Sequence, residues 1–238
     1  MNNIDKEKIR DFYNSVEDVW AINDPWHDYS RTKIASFLSE QSFKEDGIIL
    51  NAGSAGNTYN ITCRKMYHID IAAEKIKNLE FSFVGSIENM PFEDNYFDSI
   101  ICVGSVLNYC DALEAISELS RVLKINGQLF LEFESSLGYE YLGTDNYKKT
   151  ACVITTEYIE KEHKQWLYST DYIIKILNAA NLKVVKTHSF HIADGFLSKF
   201  ITDKFSVNLA KVIDRFFCLV PPFKNHGNNI IVKCIKNS

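Results

Sequence analysis

Residues 47–57 read GIILNAGSAGN, an unbroken apolar run that ends in a loop of small residues. An apolar run this short, bounded by Gly and Asn, is the pattern of a strand buried on both faces. In the loop after Asn51, the small side chains of Gly53, Ser54, Ala55 and Gly56 let a ligand approach the backbone. N–H groups left free in such a turn meet polar or anionic groups. Four runs of the same texture follow: YHIDI at 67–71, FSFVGS at 81–86, FDSIICVGS at 97–105 and GQLFLEFES at 127–135. Between the last two lies DALEAISELSRVLKING, residues 111–127, the clearest helical pattern in the chain. Asp111 is its predicted N-cap, Glu114 completes a capping box, and Gly127 stands where a C-cap belongs. Strands alternating with helices imply a parallel sheet with right-handed crossovers.

The flanks differ in texture. Ile4, Ile9, Phe12, Val16 and Val19 keep helical spacing, Asp24-Pro25 breaks it, and a second helix is predicted from about His27. ACVITTEYI (151–159) and HKQWLYS (163–169) alternate apolar and polar residues, which predicts a hairpin inserted over 135–169. Thr170 is the predicted cap of a helix running to Ala180, and LKVVKTHSF (182–190) and NNIIVKCIK (228–236) supply a sixth and a seventh strand. Between those strands lies an insertion, 193–224. There Phe196, Phe200, Phe205, Leu209, Val212, Phe216 and Phe217 keep roughly helical spacing, with Lys199, Lys204, Lys211 and Arg215 between them. Either this insertion packs on the sheet edge, or it forms a wall of a pocket or a surface for a lipid-linked substrate or a membrane interface.

The 238 residues are 46% hydrophobic and 24% charged, which fits one large globular domain and excludes a disordered chain. The formal charge of −5, with no basic cluster, argues against a nucleic-acid partner. There is no apolar stretch long enough to span a membrane. The opening MNNIDKEKIRDFYN carries charges where a signal peptide has an apolar core, so a cytoplasmic location is expected. Cys63, Cys102, Cys110, Cys152, Cys218 and Cys234 show neither CxxC spacing nor an adjacent His at metal-ligand spacing. They are read as reduced thiols, with no metal site.

Asp70 ends the second run, 19 positions after Asn51. In doubly wound folds an acidic residue there accepts hydrogen bonds from ribose hydroxyls, and ligands bind beyond the carboxyl ends of the strands. The other reading is a helix cap for AAEKIKNL. A dinucleotide fingerprint, G-x-G-x-x-G, is not supplied by the loop. The ordered set ILNAGSAGN, HIDIA, VGSIENMPFEDNYFDSIICVGSVLNY and ELSRVLKINGQLFLEF resembles the class I S-adenosylmethionine-dependent methyltransferases over residues 47–134.

The resemblance implies an α/β fold with a doubly wound, seven-stranded, mostly parallel, Rossmann-like sheet. It also implies a single domain with an N-terminal helical lid (1–40), a cofactor-binding core (47–134), a hairpin insertion (135–169) and a helical insertion on the acceptor side (193–224). The implied cofactor is S-adenosylmethionine, leaving as S-adenosylhomocysteine. Asn51, Gly53, Ser54 and Ala55 would form the loop against its methionine part. Asp70 would take the ribose, with Ile71 on the adenine and Ser86 and Ile87 at the adenine edge. Gly104 and Ser105 would form the floor below the sulfonium. The chain departs from the pattern at Asn51 (usually acidic), at Ala55 and Asn57 (often glycine) and at Ser86 (often Asp). The link between the first two strands is short, so its crossover helix is expected to be truncated or irregular.

Methyl transfer from a sulfonium is an in-line displacement that gains most from holding the nucleophile close and aligned. A base is needed only when the acceptor must lose a proton, so no fixed catalytic residue is implied. Candidates beyond the strand ends are Tyr109, Glu134 and His191, then His188 and, more remotely, His163; Tyr13, Trp20, Trp26 and Arg31 are candidates for the lid. The expected reaction is O- or N-methylation of a small or medium organic acceptor, saccharide or lipid-linked compounds included. The alternative is a non-catalytic regulator that binds S-adenosylmethionine or S-adenosylhomocysteine, suggested by Asn51, Ala55 and Ser86.

Overall fold

The computed structural model describes residues 4–20, 24–197, 200, 203–217, 220 and 226–238. The chain opens with α1 (Lys6–Ser15) and α2 (Pro25–Ser39). The Asp24-Pro25 break is the start of α2: Asp24 accepts from Trp26 N–H at 2.9 Å, and Pro25 takes the first helical position, where its missing N–H costs nothing. Next come β1 (Ile48–Ala52), β2 (Lys65–Asp70), α3 (Ala73–Ile76), β3 (Ser82–Val84), β4 (Phe97–Cys102), α4 (Ala112–Val122) and β5 (Leu123–Glu134). A separate hairpin, β6 (Ala151–Tyr158) and β7 (Lys161–Tyr168), precedes α5 (Thr170–Ala179) and β8 (Leu182–Phe190). The chain closes with α6 (Ala193–Leu197), α7 (Asp203–Phe217) and β9 (Asn229–Lys236).

Seven strands form one sheet in the order β3-β2-β1-β4-β5-β9-β8, with β9 alone antiparallel to its neighbours. The order reverses between β1 and β4, which opens a crevice at the carboxyl ends of those strands. Successive residues point to opposite faces, so each apolar pair feeds two cores. Leu50, Ile100 and Leu131 pack with Ile116 and Leu119 of α4 and Ile173 and Leu177 of α5. Ile49, Ile101 and Phe130 pack with Ile34, Phe37 and Leu38 of α2 and Val207 and Ala210 of α7. Burying both faces explains why the strands read as unbroken apolar runs. Among the described residues no helix is long and apolar enough to cross a membrane.

Local signals settle several boundaries differently from the sequence expectation. The β1–β2 link, residues 53–64, contains no helix. Tyr59, Ile61 and Cys63 cover that part of the sheet instead, with Tyr59 and Asn60 in left-handed conformations (φ 54° and 53°). Gly127 is no helix cap, because α4 stops at Val122 and the chain passes directly into β5. Glycine is required there by space: a Cβ would lie 2.7 Å from Leu123 Cδ1 and from Lys124 O. Asp111 does cap α4, accepting from Leu113 and Glu114 N–H at 2.9 and 3.1 Å. Its own N–H donates to Glu88 at 2.7 Å, so Glu114 does not close a capping box. Ser169, not Thr170, caps α5; the Thr170 hydroxyl lies 2.9 Å from that of Ser135. The hairpin turns at Ile159 and Glu160, both with positive φ (48° and 58°), the geometry of a type I′ turn. Residues 198, 199, 201, 202, 218, 219 and 221–225 of the insertion, Lys199 and Cys218 among them, lie outside the described residues, as do the side chains of Lys204 and Arg215.

Asp111→Ala removes the acceptor for two first-turn N–H groups of α4. A stability loss of about 1 kcal/mol is expected in urea denaturation, with the fold retained.

Candidate active site

A cavity of about 260 Å³ lies at the carboxyl ends of β1 to β5. The strand ends supply Gly53, Ser54 and Ala55 after β1, Asp70 and Ile71 at β2, Ser86 and Ile87 after β3, and Gly104 and Ser105 after β4. Nine of the ten residues expected to meet the cofactor therefore face one space. The tenth, Asn51, is buried beneath it and donates through Nδ2 to Asn57 O at 2.6 Å, which fixes the loop.

Each element of this wall has a local cause. Gly53 (φ 72°) donates to Ile69 O at 2.8 Å, and a Cβ there would meet Val106 at 2.5 Å. Gly104 (φ 88°) has the opposite reason: a Cβ there would project into open space, with no atom within 4 Å. Asp70 accepts from Ala55 N–H and Ala72 N–H, both at 2.8 Å, so the carboxylate braces the loop. It does not cap α3, whose start has no side-chain cap. Burial pushes its carboxyl above the usual range despite these bonds. Ser86 Oγ donates to Glu88 at 2.7 Å.

Glu132, on β5, is fully buried. Its Oε2 accepts from Gly104 N–H at 2.8 Å and Ser105 N–H at 2.6 Å, and its Oε1 accepts from Asn229 Nδ2 at 2.7 Å. One carboxylate thus ties the turn after β4 to β5 and β9. Burial raises its proton affinity, opposed by those three bonds. Glu134, two residues on, accepts from Gln165 Nε2 at 2.6 Å and also faces the cavity. Burial first, then the negative charges of Glu140 and Glu132, push its carboxyl up to about 8.

The cavity's outer side comes from the flanks. Lys6, Ile9 and Tyr13 of α1, then Val19 and Trp20, line it, as do Trp26, His27, Ser30 and Ile34 of α2. The hairpin contributes Thr156, Glu157, Tyr158 and Gln165, and the turn Tyr139–Tyr141 contributes Glu140 and Tyr141. Tyr158 OH donates to Val19 O, Lys6 pairs with Glu88, and Lys75 Nζ donates to Val16 O and Glu17 O. Tyr13 meets Tyr109 edge to face with centroids 6.1 Å apart, and burial holds both phenols neutral.

The sequence candidates separate on these contacts. Tyr109 and Glu134 line the cavity. His191 does not: it is fully buried and stacked on Trp26 at 3.7 Å. Its Nε2 lies 2.8 Å from Ser30 Oγ, and its Nδ1 is bonded to Asp194. Both ring nitrogens are engaged, and among the described residues Ser30 links the ring to the cavity wall. His188 faces Phe37, with burial pushing it down to about 4. His163 packs on Phe12 with centroids 4.2 Å apart, and neither residue lines the cavity. Arg31 pairs with Asp28 on the exterior. Tyr13, Trp20 and Trp26 line the cavity.

Glu132, Ser30, Gln165 and Glu140 are among the wall residues that the sequence reading missed. Glu132 had a signal: it is an isolated charge inside the apolar run LFLEF, and a carboxylate in a central strand is buried only when bonded. The other three reach the cavity through tertiary packing and leave no local pattern.

Residues 50–131 match a family of methyltransferase domains. An uncharacterized protein of Methanocaldococcus jannaschii, MJ0638, is 29% identical over 132 residues. That match spans 53% of this chain and 57% of the relative's length. A putative S-adenosylmethionine-dependent methyltransferase from Listeria monocytogenes superposes with TM-score 0.62 at 10% identity, covering 87% of this chain and 100% of that one. The geranyl diphosphate C-methyltransferase of Streptomyces coelicolor, solved with S-adenosyl-L-homocysteine, does so with TM-score 0.58 at 12% identity, over 97% and 98%. The site's own features fit that cofactor: backbone laid open at Gly104, close approach at Gly53 and a carboxylate at the second strand's end. Residues 50–131 thus carry the match to a methyltransferase domain, within a seven-stranded sheet and crevice of the fold shared with these methyltransferase structures.

Proposed function

We propose that the protein transfers a methyl group from S-adenosylmethionine to a hydroxyl or amino group of a small or medium organic acceptor, saccharides and amphiphiles included. The carrying observation is Glu134, a half-buried residue whose carboxyl faces the cavity beside Gly104 and Ser105, where a sulfonium would sit. When bound, the cofactor supplies an activated methyl carbon. The chain supplies the rest.

In this reading Asp70 accepts from the ribose hydroxyls with the lone pairs not used by Ala55 and Ala72. Ile71 would pack on the adenine, and Ser86 and Ile87 would meet its edge. Asn51, Gly53, Ser54 and Ala55 shape the loop, and Glu132 keeps the Gly104–Ser105 turn at its height. Tyr109 and Tyr141 bound the acceptor. Residues 1–40 act as the lid over a 47–134 core, the hairpin insertion 135–169 closes one side, and the insertion 193–224 flanks the acceptor end. Glu134 takes the acceptor's proton as the new bond forms. Its affinity near pH 8 suits a base working close to neutrality, because proton transfer is most effective when base and medium are matched. A cluster of Glu132, Glu134, Glu140, Asn228, Asn229 and Gln165 suits a hydroxyl- or amine-rich acceptor better than a phosphate-bearing one. The five described cysteines are free thiols, which supports a reducing, cytoplasmic setting.

Titration calorimetry should show Asp70→Ala weakening S-adenosylmethionine binding by about 10- to 100-fold, the loss of hydrogen bonds to a charged group. Unchanged affinity in a folded variant would remove Asp70 from the site. Glu132→Ala strands three buried donors; a loss of about 2–4 kcal/mol in urea unfolding is expected, with weaker cofactor binding.

Release of S-adenosylhomocysteine, read across a panel of hydroxyl and amine acceptors, tests the reaction itself. Glu134 is protonated below about pH 8, so kcat/KM should rise with pH up to that point and then level. Glu134→Gln should abolish the rising limb and lower kcat by about 100-fold or more at unchanged cofactor affinity. Tight cofactor binding with no release on any acceptor would instead identify a binding protein without turnover.

A further inference from the structure

Helix α7 is apolar on two sides. Its inner side is fixed in the fold: Val207 and Ala210 are fully buried, and Asp214 accepts from Ala193 N–H at 2.8 Å and Ile192 N–H at 3.1 Å. Its outer side carries Phe205, Leu209, Val212 and Phe216, between 36% and 64% exposed. Their spacing of four, three and four residues stacks them in one stripe along a helix about 22 Å long. Phe196 and Phe200, in ring contact with each other at 5.4 Å, add a second exposed apolar pair. Of thirteen exposed large hydrophobics among the described residues, seven fall between residues 196 and 220. The other six are spread singly over the chain, as is ordinary for a protein surface. A concentrated stripe is not ordinary and marks a surface that something covers.

Charge identifies the cover. The segment 193–224 holds five basic residues (Lys199, Lys204, Lys211, Arg215 and Lys224) and three acidic ones. Two of the acidic residues, Asp194 and Asp214, are buried and bonded inward. The rest of the chain holds 21 basic and 28 acidic residues. The stripe therefore lies in the basic segment of an acidic protein. A second copy docked on it would set like charge against like. A nucleic-acid duplex would use the basic residues and leave the phenylalanines in water, and a single strand finds no ring to stack on at Leu209 and Val212 in the middle of the stripe. A bilayer surface with anionic headgroups takes both, apolar side chains into the acyl boundary and lysines onto the headgroups. We propose that the outer stripe of α7, with Phe196 and Phe200, docks on an anionic lipid surface.

The placement gives docking a use. Helix α7 packs against α2, which lines the cavity through Trp26, His27 and Ser30. Helix α6 packs against the turn Tyr139–Tyr141, which lines it through Glu140 and Tyr141. Docking would hold the acceptor side of the cavity near the membrane, where amphiphilic acceptors are concentrated. The docking itself does not rest on methyl transfer.

Cosedimentation of the whole protein with vesicles tests it. Vesicles of phosphatidylcholine with phosphatidylglycerol should bind at least tenfold better than phosphatidylcholine alone, and high salt should remove most of that difference. The double variant Phe205→Ser, Phe216→Ser should lose at least tenfold of the anionic binding. Both positions face solvent, so its unfolding temperature and its S-adenosylmethionine affinity should match the parent's. No binding to either vesicle by folded protein, or equal binding of parent and variant, would overturn the proposal. So would sedimentation velocity showing a dimer that the double variant dissolves, which would assign the stripe to self-association.

Discussion

The site hangs on a carboxylate that never touches solvent. Glu132 receives the backbone N–H groups of Gly104 and Ser105 from one strand end and the amide of Asn229 from another. Ser105 is left-handed (φ 57°) and Gly104 strongly so (φ 88°). A turn of this shape leaves two adjacent N–H groups pointing into the protein, where unpaired donors are expensive. Glu132 answers that need, and the turn can then present its open side to the crevice. The position of β9 follows as well, because Asn229 begins that strand and completes the carboxylate's shell.

Such a centre carries an energetic cost. Asp70, Glu132 and Glu134 all have proton affinities raised by burial. A carboxyl whose folded pKa exceeds its unfolded value binds more protons in the native state. Its contribution to stability is therefore complete below the unfolded pKa and declines as pH climbs through the folded one. For Glu134 that decline runs from about 4.5 to about 8. Near neutrality the cavity wall is thus a place where the fold gives up stability. This is the common relation between functional sites and perturbed ionisable groups, reached here from Asp70 at the end of β2 and Glu132 and Glu134 on β5.

What the sequence disclosed divides along the same physical line. The strands were legible because burial on both faces writes itself as an unbroken apolar run. Asp70 was legible because its place at a strand end is fixed by topology. Helix α4 was legible, but its end was not: Gly127 looked like a cap, whereas it is glycine because Leu123 and Lys124 crowd it inside β5. The missing helix between β1 and β2 was signalled by a short link, but the packing of Tyr59 and Ile61 that replaces it was not. His191 followed a strand as a catalytic histidine would, and tertiary contacts turned it toward Ser30 and Asp194. Glu132 was in plain view as a charge among apolar residues, and only its partners, far away in sequence, give it meaning.

The cavity's two halves also differ in origin. Its inner half comes from turns that directly follow strands, so residue type and position are set together and motifs survive in the sequence. Its outer half comes from α1, α2, the hairpin and the turn Tyr139–Tyr141, brought together by contacts such as Tyr158 to Val19 and Gln165 to Glu134. Nothing in the spacing of those residues encodes their meeting, since each arrives on a separate attachment to the sheet. The inner half is therefore the one that carries the match to a methyltransferase domain. The outer half is written in packing, and its carboxylates and amides, rather than any motif, set the chemistry of the wall around Glu134.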